Sequence, residues 1–327
     1  MDKNRSLWII PEGAFGMLRV LSAMKSCPLS TSCPRLFYFV DEKYGWLGQF
    51  RGRFSEQYYK EHTPIWSVLF WSISDYSTNN IKGEIMQNRY AGDIGDFGKL
   101  GLLRTLYAAG LSVGVNWYLN PNLTLKELNN KDGKFVDYSQ YKNCDEQLYS
   151  ELQKIINCGQ RNVSSLENNN ILQAKFYSAP LDFSDKNKSE RFDFRCKWHE
   201  NALKALSGVD VVFVDPDNGL IVRSAVGTPR ANKYVEASEL TDYYSQGASV
   251  IYYQHKARYN DTFYINRHKE LLSHEMLSNA AGLCIKFIPV SQRYYFFIIQ
   301  PRHRETIQSQ IDMIMSSEWK KCFTIVK

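Results

Sequence analysis

The sequence predicts an α/β fold, with a mostly parallel, Rossmann-like sheet covered by helices on both faces and closed by a C-terminal antiparallel hairpin. From residue 86 onward, helical periodicity alternates with short apolar runs rich in β-branched residues. Such runs are typical of strands buried on both faces of a parallel sheet. Near the C-terminus, two apolar segments at 283–290 and 294–299 are separated by a short Ser291-Gln292 turn, which predicts the hairpin.

The predicted elements alternate in order along residues 86–327. Helices are predicted where apolar residues recur at intervals of three and four, and the first of them ends at Gly110. The predicted helices span residues 99–109, 145–158, 197–206, 234–246 and 263–280. The predicted strands span residues 111–119, 171–177, 209–214, 248–253, 283–290 and 294–299.

Residues 1–85 differ from the rest, because they have little helical or alternating periodicity. The tetrapeptide Lys82-Gly83-Glu84-Ile85 stands directly before Met86, and the codons AAA-GGA-GAA would contain a bacterial ribosome-binding string. We therefore expect residues 1–85 to be an irregular N-terminal extension arising from a mis-assigned start. On this interpretation residues 86–327 form the α/β domain and fold without the extension. The alternative is a small irregular N-terminal domain.

Composition narrows the class of protein. Lys and Arg number 40 and Asp and Glu 34, giving a formal net charge of +6, which permits a nucleic-acid partner without requiring one. The seven cysteines are an odd number without a CxxC pair, which argues against a disulfide framework or a zinc knuckle. No apolar run approaches the roughly 20 residues of a membrane span. We expect a cytoplasmic protein without a membrane partner, and the oligomeric state is not predicted.

The first candidate motif is the segment from Tyr90 to Lys99, with glycines at intervals of three. It leads into a predicted helix whose N-terminal amides favour an anion, and Lys99 adds a positive charge. It departs from a phosphate-binding Walker loop, because Leu100 replaces Ser or Thr. The alternative is a loop that starts the helix, with Asp96 as N-cap. The predicted cofactor-binding residues are Tyr90, Gly92, Asp93, Gly95, Asp96, Gly98 and Lys99.

The second motif is Asp215-Pro216-Asp217-Asn218-Gly219, directly after the predicted strand 209–214. Ligands of parallel sheets bind beyond the carboxyl ends of the strands, so we expect Asp215 and Lys99 to share one crevice. Paired carboxylates can hold a metal ion or orient a polar substrate group. Asp215, Asp217 and Lys99 are the candidate catalytic residues. The alternative is a polar turn.

A third set of polar residues follows the next predicted strand, 248–253. His255 can serve as a general base or a ligand, and Lys256 as a cation beside it. Together with Asn218 they are the candidate substrate-binding residues. The alternative is that His255 is structural.

The two signatures, Gly-Asp-Ile-Gly-Asp-Phe-Gly-Lys and Asp-Pro-Asp-Asn-Gly-Leu, resemble those of a family of bacterial and phage-borne proteins without an assigned activity. More distantly, the chain is similar to the large-subunit ribosomal-RNA adenine-N6 methyltransferases, whose N-terminal motif reads His-Ala-Gly-Asn-x-x-Asp-x-x-Lys. The positions that match this motif are Ala91, Gly92, Asp96 and Lys99. Tyr90 and Asp93 replace the His and the Asn.

Those enzymes also carry an Asp-Pro-Pro-Tyr motif at a strand end, which Asp215 and Pro216 match and Asp217 and Asn218 do not. The resemblance implies a methyltransferase-like protein that uses S-adenosylmethionine and acts on nucleic acid or a nucleotide. It implies that Asp215 accepts a hydrogen bond from the target amine, and that Lys99 helps to hold the cofactor or a substrate phosphate. Two features of the family are missing: the aromatic residue of the second motif, and a glycine-rich loop after the strand at 111–119.

Two other functions remain open at this point. In a metal-dependent nuclease or phosphohydrolase, Asp215 and Asp217 would bind Mg²⁺ and Lys256 would stabilise the developing charge. In a non-enzymatic binding module, the fold would be kept without the chemistry.

Overall fold

The structure is a computed structural model that describes residues 18–19, 35–41, 46–52, 90–120, 133–168 and 171–327. The chain separates into two units, Met1–Ile81 and Lys82–Lys327. In the first unit, strands β1 (Leu18–Arg19), β2 (Arg35–Asp41) and β3 (Trp46–Gly52) form an antiparallel sheet. The start of translation at Met86 stays a prediction, and this residue lies outside the described part of the chain.

The second unit is built on a seven-stranded sheet. Its strands are β4 (Val113–Asn116), β5 (Ala174–Tyr177), β6 (Val211–Val214), β9 (Ser249–His255), β10 (Ala281–Phe287), β11 (Arg293–Ile299) and β12 (Phe323–Ile325). Their order across the sheet is β12-β10-β11-β9-β6-β4-β5. The four strands β5, β4, β6 and β9 are parallel, whereas β11, β10 and β12 join in antiparallel fashion. The predicted α/β class and the closing hairpin are confirmed.

Two apolar clusters cover the sheet, one on each face. In β6, Val211 and Phe213 belong to one cluster, and Val212 and Val214 to the other, as the alternation of side chains in a strand requires. The first cluster includes residues from α1 (Ile94–Ala108), α2 (Glu146–Asn157), α3 (Val163–Asn168) and α7 (Arg304–Ser316). The second includes residues from α4 (Lys188–Ala205), α5 (Ala237–Ser245) and α6 (Asp261–Leu272).

Short elements complete this unit. Strands β7 (Gly219–Leu220) and β8 (Tyr234–Val235) pair in parallel between β6 and α5. The 3₁₀ helices are Ser139–Cys144, Arg223–Ala225, Pro229–Lys233, Glu275–Leu277, Pro301–His303 and Glu318–Lys321.

Several boundaries differ from those predicted. Helix α4 begins at Lys188, nine residues before the predicted start at 197, because Asn187 and Glu190 form a capping box there. Helix α5 begins only at Ala237, since the residues before it pair as β8. Helix α7 and strand β12 were not predicted. Strand β12 adds an antiparallel edge next to β10.

The order of the parallel strands reverses at β4. The next strand of the main sheet along the chain, β5, lies on one side of β4, and β6 lies on the other. In open α/β sheets such a reversal opens a crevice at the carboxyl ends of the strands. Trp117 follows β4 at this edge and Asp215 follows β6.

Two structural findings bear on the expectations drawn from composition. Among the described residues, no helix combines the length and the apolar character that crossing a membrane requires. Of the seven cysteines, the five that the structure describes are free thiols, and Cys27 and Cys33 lie outside the described residues.

Candidate functional site

Helix α1 begins within the first motif, five residues earlier than predicted. Asp93 is its N-cap, and the Asp93 carboxylate accepts hydrogen bonds from the backbone N–H of Gly95 at 2.7 Å and of Asp96 at 3.0 Å. The predicted glycine-rich loop over 92–98 and the alternative N-cap at Asp96 are therefore wrong. Only Gly92, with a φ of 81°, lies in the turn that precedes the helix.

The two glycines inside α1 allow the C-terminal hairpin to approach closely. A Cβ on Gly95 would lie 1.5 Å from a guanidinium nitrogen of Arg293 on β11, and a Cβ on Gly98 would lie 2.4 Å from the ring of Phe287 on β10. A larger side chain at position 98 would clash with the buried Phe287 ring, and one at position 95 would require the Arg293 guanidinium to move. These glycines serve packing within the protein, and they place the cation of Arg293 over the first turn of α1.

Lys99 joins the two motifs. The Lys99 Nζ lies 2.5 Å from Asp215 Oδ2 and 2.9 Å from Asp96 Oδ1, and it lies 5.0 Å from the centre of the Trp117 ring. The prediction that Lys99 and Asp215 share one crevice is confirmed, although 116 positions separate them in sequence. The second oxygen of Asp96 accepts from Gly92 N at 3.0 Å, so this carboxylate ties the turn to the lysine.

Burial and charge set the protonation of this group. Burial alone would lower the pKa of Lys99, but the carboxylates of Asp215 and Asp96 outweigh it and raise that pKa well above the usual value. Burial raises the pKa of Asp215, and Lys99 opposes this rise. Burial and then repulsion from Asp96 raise the pKa of Asp93 to about 6, against the attraction of Arg293. Three carboxyl groups and two cations thus compete within one largely buried cluster.

The second motif is a turn latched to strand β9. Gln254 Nε2 donates to the carbonyl of Asn218 at 2.7 Å, and Gln254 Oε1 accepts from Leu220 N at 3.1 Å. Gly219 has a φ of 98°, and a Cβ there would lie 2.3 Å from Gln254 Oε1. A glycine is required at this position by both its backbone conformation and this close contact.

A cavity of about 260 Å³ lies between the two motifs at the carboxyl edge of the sheet. Its lining residues form two groups. One group comes from the start of α1, the end of β4, segment 133–135 and α3, and the other comes from the second motif, Lys233, the end of β9 and the start of β11. The predicted site residues that line it are Tyr90, Asp93, Asp96, Lys99, Asp215, Asp217, Asn218 and His255.

Lys256 is not among the residues that line this cavity. Its Nζ lies 2.8 Å from Gln292 Oε1 and 3.1 Å from Asp261 Oδ1 at the start of α6. The alternation along β9 turns His255 to the cavity face, and its neighbour Lys256 is engaged by Asp261 instead.

The lining residues that were not predicted as site residues include Trp117, Phe135, Tyr253 and Arg293. Trp117 directly follows a buried parallel strand, as Asp215 does, so its place at the carboxyl edge of the sheet is recognisable from the same sequence pattern. Tyr253 stands two positions before His255 and shares its face of β9. No local signal identifies Arg293, because its place depends on how the hairpin packs against α1.

The arrangement does not offer a cluster of metal ligands. In the part of the chain that the structure describes, no three His, Cys, Asp or Glu side chains group closely enough to hold a metal ion. The Lys99 ammonium already bonds to Oδ2 of Asp215, and its positive charge repels a second cation there. These residues therefore fit Mg²⁺ poorly, since the ion prefers six oxygen ligands at short distances.

No protein-family model and no curated protein matches this chain. A search of solved structures finds protein LPL1258 from Legionella pneumophila strain Philadelphia 1, described as a DUF519 protein. The two chains are 14% identical with a TM-score of 0.38, and the match covers 72% of this chain and 97% of the other. A similarity at this level carries no conclusion about activity.

Proposed function

We propose that this chain is a cytoplasmic methyltransferase-like protein that uses S-adenosylmethionine and acts on an amino group of nucleic acid or a nucleotide. The observation that carries the proposal is the buried ion pair between Lys99 and Asp215. It joins the two segments that match the adenine-N6 methyltransferases in sequence, at the edge of the sheet where α/β proteins bind ligands.

One side of the cavity has the chemistry that this cofactor needs. Trp117, Val163 and Leu166 line the cavity but are largely buried, so Phe135, which is 46% exposed, is the main apolar surface for a purine ring. The carboxylates of Asp93 and Asp96 favour a cationic ligand, and the cofactor carries a sulfonium and an ammonium group. When bound, it supplies a methyl group for direct displacement by the acceptor amine, so the protein's task is mainly to position the two reactants.

The Lys99–Asp215 pair supports a role for Asp215 in orienting the acceptor. Lys99 donates to Oδ2 of Asp215 and so fixes the orientation of the carboxylate, with Oδ1 as the oxygen that accepts a hydrogen bond from an amine. The lysine also opposes the effect of burial on the pKa of Asp215. We assign Asp215 as the candidate catalytic residue and Lys99 as the residue that positions it.

This assignment changes the expected role of Lys99. Two carboxylates within 2.9 Å already hold its ammonium group, and binding a phosphate would require it to leave them. Positioning Asp215 therefore suits Lys99 better than holding a phosphate. The nuclease alternative is weakened by the same contacts, because the lysine occupies one oxygen of the Asp215 carboxylate and its charge repels a metal ion at the other.

The test begins with calorimetric titration of the full chain with S-adenosylhomocysteine, which binds without reacting. Methyl transfer from labelled S-adenosylmethionine to RNA, DNA and free nucleotides is then measured. We expect the wild type to bind the probe and to methylate at least one of these substrates. In Lys99→Met we expect methyl transfer to fall by at least about a hundredfold, roughly 2.7 kcal/mol of transition-state stabilisation.

Lys154→Met is the matched control, since this lysine on α2 is 64% exposed and pairs only with the neighbouring Glu151 among the contacts described. Asp215→Asn is nearly isosteric and serves as the second variant if Lys99→Met does not fold. No binding of either form of the cofactor by the wild type would contradict the methyltransferase proposal and favour a non-enzymatic module. Binding of Mg²⁺ or Mn²⁺ instead would favour the nuclease.

A further inference from the structure

The second motif lacks the aromatic residue that the resembling methyltransferases carry, and Asn218 stands in its place. Aromatic rings are nevertheless present at the same cavity. Tyr253 and His255 both line it, and both come from β9, the strand next to β6. The flat surface that a planar acceptor needs is thus available from a neighbouring strand.

The register of the sheet places this pair beside Asp215. Val214 of β6 pairs with Tyr252 of β9, so Asp215 and Tyr253 stand level on adjacent parallel strands. The hydroxyl of Tyr253 lies 3.5 Å from His255 Nδ1. The two side chains are therefore adjacent and together line one surface of the cavity, which begins level with Asp215.

Gln254 couples this surface to the second motif. It lies between Tyr253 and His255 in sequence, and it holds the turn through Asn218 O and Leu220 N. Because adjacent residues of a strand face opposite sides, one strand end both latches the turn and presents the two rings. The distance between the rings and Asp215 is thereby fixed by the backbone rather than by a mobile loop.

Arg293 closes the far side of the same surface. It pairs with His255 across β9 and β11, lines the cavity, and donates from Nε to Ser291 O at 3.2 Å. Its guanidinium supplies hydrogen-bond donors, and Asn218 supplies an amide that can donate and accept. Rings, donors and acceptors together match the edge and faces of a nucleobase.

We propose that Tyr253 and His255 form the acceptor subsite, on which an amine-bearing nucleobase, adenine or cytosine, lies with its amino group toward Asp215. This inference rests on the proposed function. It assigns to β9 the stacking role for which the related enzymes use the residue after Asp-Pro-Pro. The base can belong to a free nucleotide or to single-stranded nucleic acid, since both present the same ring.

The test uses four probes with the full chain in the presence of S-adenosylhomocysteine. Adenosine, cytidine and uridine 5′-monophosphates represent free nucleotides, and a single-stranded oligonucleotide of mixed sequence represents nucleic acid. We expect the adenine or cytosine probe to bind more tightly than the uridine probe, which lacks the amine. Tight binding of the oligonucleotide with weak binding of all mononucleotides would identify the source as nucleic acid.

Variants then test the two rings. His255→Ala and Tyr253→Leu should each weaken binding of the preferred base by at least about tenfold, since stacking of one base on an aromatic ring is worth this much. Tyr253→Phe keeps the ring and should bind the base nearly as well as the wild type. His274→Ala is the matched control, because His274 is exposed and is not among the residues that line the cavity.

Cofactor binding separates this inference from the function it rests on. If the wild type binds S-adenosylhomocysteine and transfers methyl groups, but His255→Ala and Tyr253→Leu bind the bases normally, the acceptor subsite is refuted and the proposed function stands. If the wild type does not bind S-adenosylhomocysteine, the proposed function fails first. Equal loss of cofactor and base binding in both variants would also refute the subsite, because the rings would then only support the fold.

Discussion

Two buried ion pairs lie on opposite faces of the sheet, and they differ in how completely they are satisfied. On the α4 side, Arg195 makes two hydrogen bonds to Glu239, at 2.8 and 2.7 Å, and donates also to the carbonyls of Ala231 and Tyr234. The hydroxyl of Tyr118 donates to the same glutamate at 3.0 Å. The Arg195 and Glu239 side chains are 7% and 4% exposed. Each is bonded to other groups of the protein.

On the α1 side, the Lys99–Asp215 pair borders a cavity. Lys99 bonds to Oδ2 of Asp215 and to Asp96, and the Asp215 side chain is 16% exposed. Asp93 and Asp217 line the same cavity, so negative charge here exceeds what Lys99 alone can balance. A closed network of bidentate bonds fixes a fold, whereas a charged cluster open on one side is suited to a ligand. The difference separates a structural pair from a candidate site.

The largest expected effect tests the closed pair. Arg195→Met should reduce the free energy of unfolding by about 3–5 kcal/mol, because it leaves the buried charge of Glu239 without its partner. Unfolding in urea, followed by circular dichroism, measures this change. The double variant Arg195→Met with Glu239→Gln should recover part of the loss, since no uncompensated charge remains.

A loss below about 1 kcal/mol in Arg195→Met would contradict the structural role of this pair. The Arg195–Glu239 pair would then contribute as little to the free energy of unfolding as an exposed ion pair does.

The second largest expected effect is a difference between the two ion-pair regions in how stability changes with pH. The pKa of Asp93 is raised from its ordinary 3.8 to about 6, so its contribution to stability is complete below about pH 4 and is lost as pH rises through about 6. Asn cannot ionise and keeps the oxygen that caps α1. The stability of Asp93→Asn relative to wild type should therefore increase by about 2–3 kcal/mol between about pH 4 and pH 7.

Glu239 should show the opposite dependence. Burial would raise its pKa, but Arg195 outweighs burial and lowers it, so its contribution is present at neutral pH and is lost as pH falls. Unfolding free energies of wild type, Asp93→Asn and Glu239→Gln across this pH range measure both slopes. A constant difference between Asp93→Asn and wild type would show that Asp93 is not the group that titrates.

The site was more predictable than the boundaries of its elements. A carboxylate after a buried parallel strand indicated Asp215, and a lysine closing a glycine-spaced segment indicated Lys99, because both rest on local patterns. The same glycine spacing predicts a loop, whereas the structure has helix α1 from Ile94. The cause of the spacing is the close approach of Arg293 and Phe287 from a hairpin almost 200 positions further on, and packing at that separation leaves no local signal.

The elements of the fold also differ in whether a local sequence pattern indicates them. Buried strands such as β6 were recognisable, since apolar β-branched runs are local features. Strand β12 has no comparable signal, because only its pairing with β10 gives it its place. Helix α7 does carry a local signal, since Ile307, Ile311 and Ile314 recur at helical spacing. The start of α4 does carry a local signal, because Asn187 and Glu190 have the spacing of a capping box.

The smallest expected effect separates the two enzymatic interpretations of the open pair. Asp217 lines the cavity, and Lys99 contacts Asp215. If Asp215 orients an amine, Asp217→Asn should change the free energy of unfolding by less than about 0.5 kcal/mol. It should also leave binding of S-adenosylhomocysteine within about twofold of the wild type.

The nuclease interpretation predicts a different result for the same variant. A divalent ion held by both carboxylates would lose one hard oxygen ligand, and its affinity would fall by at least about tenfold, roughly 1.4 kcal/mol. Titration of wild type and Asp217→Asn with Mg²⁺ and Mn²⁺ measures this directly, with Asp312→Asn on the exposed face of α7 as the matched control. We expect neither ion to bind measurably, because the Lys99 ammonium already occupies the charge position beside Asp215. Metal binding by the wild type that is lost in Asp217→Asn, without cofactor binding by either, would make the open pair a metal site and the lysine a mobile partner displaced by the ion.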